Sequence, residues 1–134
     1  MSTTHLLDTN IVSFLMRPKP PASVLARLAA LGPKRVAISV ITAIELHQGA
    51  ELSSKPAQYH RLIDTILESL PVLPLERELI PVAGRLRAQL QRQGTPLGDL
   101  DSLIAAHALA LKLVLVTHDS DFDRVPDLMC EDWA

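Results

Sequence analysis

The sequence predicts an α/β fold built on a mostly parallel sheet, and three observations carry that prediction. Short apolar runs at 5–8, 36–39 ("VAIS") and 113–117 ("LVLVT") are bounded like buried strands. Between them, apolar residues recur at helical spacing, as in Val24, Leu25, Leu28 and Leu31. Strand and helix alternate along the chain, which places helices against the faces of a parallel sheet. The 134 residues suit one domain, 1–134, with a single core.

The elements follow in order. The strand at 5–8 runs into a short helix over about 9–16, whose inner residues are Ile11, Val12, Phe14 and Leu15. "RPKPPAS" breaks the chain, and Pro20 and Pro21 suit the start of the next helix. Gly32 and Pro33 end it. After "VAIS" a helix runs from about 40 to 50, and "SSKPAQ" interrupts it. The following helix holds Leu62, Ile63, Ile66, Leu67 and Leu70. "PVLPL" reads as a third short strand or an extended link. A longer helix carries Val82, Leu86 and Leu90 and stops at Gly94. "LDSLIAAHALAL" is apolar almost all round, hence a buried helix. "LVLVT" is the next strand, and 128–130 is expected to add an edge strand.

Composition narrows the function. At 48% hydrophobic and 21% charged, the chain is globular, not disordered. No run approaches the roughly 20 apolar residues that span a bilayer. The first residues lack the basic and apolar regions of a signal peptide, so a cytoplasmic protein without membrane attachment is expected. Cys130, the one cysteine, excludes an internal disulfide and a cysteine zinc site. A formal charge of −2 is not that of a protein coating nucleic acid by charge alone. Phe14, Tyr59, Phe122 and Trp133 are too few for a base-stacking platform.

In an open parallel sheet the working residues gather at the carboxyl ends of the strands. Asp8 ends the first strand, where an N-cap is the competing structural role. Glu45 shares a helical row with Ile41, Gln48 and Leu52, flanked by Ile44. A carboxylate in an apolar stripe is costly without a partner. Asp99, after Gly98, is expected to be an N-cap. Asp101 falls in the first turn of the buried helix, on the face of Ile104, Ala105 and Ala108. Its gain from the helix dipole, roughly 0.3–1 kcal/mol, does not require burial. Asp119, Asp121 and Asp123 leave the strand "LVLVT" in one loop, beside Thr117 as a hydroxyl donor or cap. Carboxylates gathered from such separate segments repel unless a cation lies among them. Oxygen-only donors indicate a hard ion, Mg²⁺ or Mn²⁺. His5, His47, His60, His107 and His118 show no H-x-x-x-H spacing, which disfavours a His-ligated metal.

Four stretches in this order resemble the PIN-domain nucleases, and among them the VapC-type toxins of bacterial toxin–antitoxin pairs. They are "LLDTNIVSFL", "ISVITAIELHQGA", "GTPLGDLDSLIAAHALAL" and "LVLVTHDSDFDRVPDL…EDW", and together they cover nearly the whole chain. The resemblance implies a PIN-like three-layer α/β/α sandwich. It implies Asp8, Glu45 and Asp101 as catalytic, metal-binding acids, with Asp119 as the fourth and Asp121 as its alternative. Asn10 matches the family's Asn, and Thr9 is expected to contact substrate or support Asp8. Mg²⁺ or Mn²⁺ as cofactor, RNA as substrate, a homodimer and a cognate VapB-type antitoxin that blocks the site are implied as well. Arg17 and Lys19 are candidates for holding phosphate with Thr117, as is Arg124. Arg85, Arg87 and Arg92 are expected on a solvated helix face.

The rival readings come from other classes. A haloacid-dehalogenase-like phosphotransferase needs a second Asp two residues after Asp8, where Asn10 stands. A receiver-like module wants an acidic pair near the first strand and a late lysine, and shows neither. A non-catalytic PIN-like module binding RNA or protein is the alternative that survives, distinguished by insensitivity to EDTA. Which RNA is cut, which antitoxin binds and whether one or two ions act are open at this level.

Overall fold

Leu6 and Leu7 are adjacent on one strand and enter two different cores. Successive strand residues point to opposite faces, so a sheet covered on both sides needs both to be apolar. The computed structural model describes residues 2–134, and its central sheet is of this kind. Strands β1 (His5–Leu7), β2 (Val36–Ser39), β3 (Val72–Leu73), β4 (Val114–Val116) and β5 (Cys130–Glu131) pair in the order β3-β2-β1-β4-β5. Every pairing is parallel, so the sheet is wholly parallel where a mostly parallel one was expected.

Helices α1 (Thr9–Leu15), α2 (Ala22–Leu31), α3 (Val40–Leu52), α4 (Pro56–Ser69), α5 (Leu79–Arg92) and α6 (Asp99–Leu111) flank it. Leu7, Val36, Ile38 and Val116 pack with Ile11, Val12, Val24, Leu46, Ile63 and Trp133 in one core. Leu6, Ala37 and Leu115 face Leu86, Leu90, Ile104, Ala105 and Phe122 in the other. The result is a three-layer α/β/α arrangement. None of the helices among the described residues is long and apolar enough to cross a membrane.

Strand order positions the site. From β1 the chain moves outward to β2 and β3, then returns to the other side of β1 for β4 and β5. That reversal leaves a crevice at the carboxyl ends of β1 and β4, where open α/β sheets bind ligands. Asp8 and Thr117 are the first residues past those two strand ends.

Several boundaries differ from expectation. Gly98, not Asp99, is the N-cap of α6, and Asp99 is its first residue. Arg87 explains the change: its guanidinium binds Asp99 Oδ1 at 2.8 Å and Ser102 Oγ at 2.8 Å. Arg87 is exposed, as expected of a solvated helix face, and it also ties α5 to α6. The edge strand is Cys130–Glu131, starting two residues later and ending one later than the 128–130 expected, with Leu115 N bonded to the Met129 carbonyl and Thr117 N to the Glu131 carbonyl. Leu52 and Ile44, expected in an apolar stripe with Glu45, are 79% and 55% exposed; only Ile41 of that group is buried.

Candidate active site

Asp8 is 3% exposed, and the start of α1 explains why a charge is tolerated there. It is the N-cap: Oδ1 accepts the Ile11 amide at 2.9 Å. Oδ2 accepts the Thr117 hydroxyl at 2.5 Å. Thr117 is itself 5% exposed, and its Oγ1 accepts the Asp119 amide at 3.0 Å. One hydroxyl thus links the ends of β1 and β4 and aims the loop that carries Asp119. Asp119 caps the 3-10 turn Ser120–Arg124 through the Asp121 amide at 2.9 Å.

Glu45 reaches the same place from α3. Its Oε1 accepts the Thr9 hydroxyl at 2.7 Å, and Thr9 also lies 3.2 Å from Thr42 Oγ1. Thr9 thus supports Glu45, not Asp8. Asp101 is half-buried in the first turn of α6, and Ile104, Ala105 and Ala108 on its face are buried as expected. Buried His107 on α6 pairs its Nδ1 with Ser39 Oγ at 2.8 Å. Ser39 is the N-cap of α3, holding the Ile41 amide at 3.1 Å. The start of α3, which bears Glu45, is thereby joined to the second half of α6, the helix that bears Asp101 in its first turn.

Asp8, Thr9, Asn10, Glu45, Asp101, Asp119 and Phe122 line one cavity of about 220 Å³. Asp121 does not line it: it is exposed and pairs with Arg124 at 3.2 Å. Neither Lys nor Arg stands among the lining residues. Arg17 lines an adjoining, mainly apolar groove of about 420 Å³ that shares Thr9 and Glu45 with the cavity. Its guanidinium lies 4.3 Å over the Phe14 ring. Lys19 is exposed and lines neither, and Arg124 is held 3.5 Å from the Pro96 carbonyl.

The electrostatics follow from crowding acids where water is scarce. Burial pushes the Asp8 carboxyl above its ordinary value, against the opposing hydrogen bonds from Thr117 and Ile11. The charges of Asp119 and Glu45 push it further. Asp101 is raised by burial first, then by Glu45, Asp119, Asp8 and Asp121. A group of carboxylates with no basic side chain in its lining is short of positive charge. The donor set is all oxygen, which fits a hard divalent cation. Among the described residues no three of these acids have oxygens within 4.8 Å of one another. An ion shared by all of them would therefore reach some through water, as Mg²⁺ commonly does.

The chain is similar to known proteins along nearly its whole length. The PIN domain family model matches residues 5–128. The chain is 38% identical to the tRNA(fMet)-specific endonuclease VapC of Shigella flexneri, over 96% of this chain and 97% of that protein. It is 37% identical to ribonuclease VapC1 of Haemophilus influenzae, over 97% and 98%. The crystal structure of VapBC2 from Rickettsia felis, bound to a DNA fragment from their promoter, superposes with a TM-score of 0.92 at 33% identity. That match covers 98% of this chain and all of the other.

Proposed function

The chain belongs to the PIN-domain family, in its VapC branch, and from that premise we propose that it is a divalent-metal-dependent ribonuclease toxin held in check by a VapB-type antitoxin. The observation that carries the reading is the convergence of Asp8, Glu45, Asp101 and Asp119 on one cavity whose lining holds no basic side chain. These four acids would hold Mg²⁺ or Mn²⁺. When bound, such an ion polarises a phosphoryl oxygen and makes a water acidic enough to act as nucleophile near neutral pH.

The chain's own residues do the rest. Thr9 fixes Glu45 by its 2.7 Å hydrogen bond, so Glu45 or Asp119 is set to accept a proton from the attacking water. Attack on phosphorus forms the new P–O bond and breaks the bond to the 3′ oxygen, leaving a 5′ phosphate and a 3′ hydroxyl. Thr117 acts as a positioning residue, because its hydroxyl is spent on Asp8. Asn10, an exposed residue of the cavity lining, is the one we assign to the substrate side; the Thr9 hydroxyl, like that of Thr117, is spent on a carboxylate. Arg17, which lines the groove that shares Thr9 and Glu45 with the cavity, is the cation we assign to phosphate; Lys19 lines neither.

The relative in Shigella flexneri is named as specific for tRNA(fMet), which makes that RNA the first substrate to test. The adjoining groove, which shares Thr9 and Glu45 with the cavity and is also lined by Arg17 and Tyr59, suits an antitoxin segment that blocks entry. The reading also includes a homodimer, measurable by light scattering, and a single domain, 1–134. The deciding experiment incubates the purified chain with RNA in Mg²⁺ and in EDTA, beside Asp8→Asn and Asp101→Asn. Cleavage in Mg²⁺ only, absent from both variants while they remain folded, supports the assignment. RNA or protein binding that is indifferent to EDTA, with no cleavage, supports a binding module instead.

A further inference from the structure

We propose that His47, Glu51 and His60 form a second cation site, built for a borderline transition ion such as Zn²⁺, on the hairpin of α3 and α4. It does not rest on the function assigned to the acid cavity. His47 and Glu51 lie four residues apart on α3 and so share a face, one turn above the other. His60 comes from the second turn of α4. The connection between the helices is only residues 53–55, and Pro56 at the first position of α4 sets its direction. A short helical hairpin of this kind holds its facing residues in register. Side-chain placement agrees: the two imidazole centroids are 4.6 Å apart, and His60 Nε2 lies 3.0 Å from Glu51 Oε1.

One ligand atom from each of the three residues lies within 4.8 Å of the other two. Tetrahedral zinc with bonds of roughly 2.0–2.1 Å needs its ligands about 3.3 Å apart. The Glu51–His60 pair, hydrogen-bonded at 3.0 Å, is slightly closer than that spacing. His47 and Glu51 are exposed and His60 half-exposed, so small rotations of surface side chains complete the set without disturbing the core. Two nitrogens and one oxygen leave a coordination position for water. Imidazole donors favour Zn²⁺, Ni²⁺ or Cu²⁺ over Mg²⁺, so this site and the acid cavity divide the two kinds of ion between them. An H-x-x-x-H pattern is absent because the second histidine arrives from the neighbouring helix. Bound there, an ion cross-links α4 to the helix that carries Glu45, and fixes the side of the groove that Tyr59 lines.

The test is calorimetric titration of Zn²⁺ into the untagged full chain in excess Mg²⁺, compared with His47→Gln, His60→Gln and Asp101→Asn. Loss of a residue that merely supports a ligand commonly weakens a metal site by about 10–100-fold, so loss of a ligand is expected to cost at least about tenfold. The proposal expects one equivalent bound by the wild type and by Asp101→Asn, and that weakening in both histidine variants. It also expects Co²⁺ to give visible absorption bands that His60→Gln abolishes. Zn²⁺ binding unchanged in His60→Gln, or lost in Asp101→Asn but not in the histidine variants, would overturn it. No saturable Zn²⁺ binding at all would do the same. Neither readout involves RNA cleavage, so failure here and failure of the ribonuclease reading are separate results.

Discussion

The Thr117 hydroxyl donates to Asp8 Oδ2 at 2.5 Å across 109 residues of sequence. It joins the ends of the two strands that flank the switch point and places a donor on the most buried acid of the site. Thr117→Val removes the donor and leaves a buried carboxylate oxygen unsatisfied, a change that costs about 1–3 kcal/mol. The Asp119 amide loses its acceptor in the same substitution. Denaturant unfolding is expected to show that loss, and RNA cleavage is expected to need more Mg²⁺ for half-maximal rate. Thr117→Ser restores both, because the hydroxyl is what matters.

Asp101→Asn is expected to abolish cleavage and to stabilise the metal-free protein. The folded carboxyl titrates above its ordinary 3.8, so the folded state holds the proton more tightly than the unfolded one. Stability therefore falls as pH rises from 3.8 through the raised value, and at neutral pH the charged carboxylate opposes folding. Replacing it by a neutral amide removes that opposition. Thermal unfolding at neutral pH in EDTA checks this: the variant should melt higher than the wild type. Mg²⁺ should raise the wild-type melting temperature by mass action and the variant's much less.

The sites of Asp8, Glu45 and Asp101 could be read from the sequence because each obeys a local rule. One ends a strand, and two ride helix turns beside apolar residues. Asp119 was the first choice for the fourth acid and Asp121 the alternative, and the two loop positions have different surroundings: Asp119 lines the cavity and Asp121 pairs with Arg124. The N-cap expected at Asp99 moved to Gly98 because Arg87, from another helix, claims the Asp99 carboxylate. The apolar stripe around Glu45 was half wrong, because periodicity gives a helix face without saying how far along it the neighbouring layer extends. Leu52 lies past that limit. His47, Glu51 and His60 went unread for a similar reason: their proximity is made by the turn between two helices, not by spacing within one.

Arg87→Ala tests the clamp on the start of α6. The ion pair with Asp99 is largely exposed, and such pairs contribute about 0.2–1 kcal/mol. The bond to buried Ser102 adds to this, so a loss near the upper end of that range is expected in urea unfolding. Cleavage should fall by a few-fold at most, because the fold of α6 holds Asp101 through Ile104 and Ala105 as well.

His107 sets an acid limit on the fold. Burial lowers its pKa below the ordinary 6.5, so the unfolded state takes up a proton more readily than the folded one. The stability it contributes is present above pH 6.5 and is lost as pH falls through the lowered folded value. Unfolding free energy measured as a function of pH should decline on the acid side of 6.5. In His107→Asn the curve should be flatter across that interval, whatever its absolute height.

The most direct test of the whole account is anomalous diffraction from crystals of the chain soaked in Mn²⁺. The account predicts a peak in the cavity, coordinated by Asp8 and Asp101, directly or through water, with Glu45 and Asp119 around it. Saturating Mn²⁺ with no density between these carboxylates would contradict it.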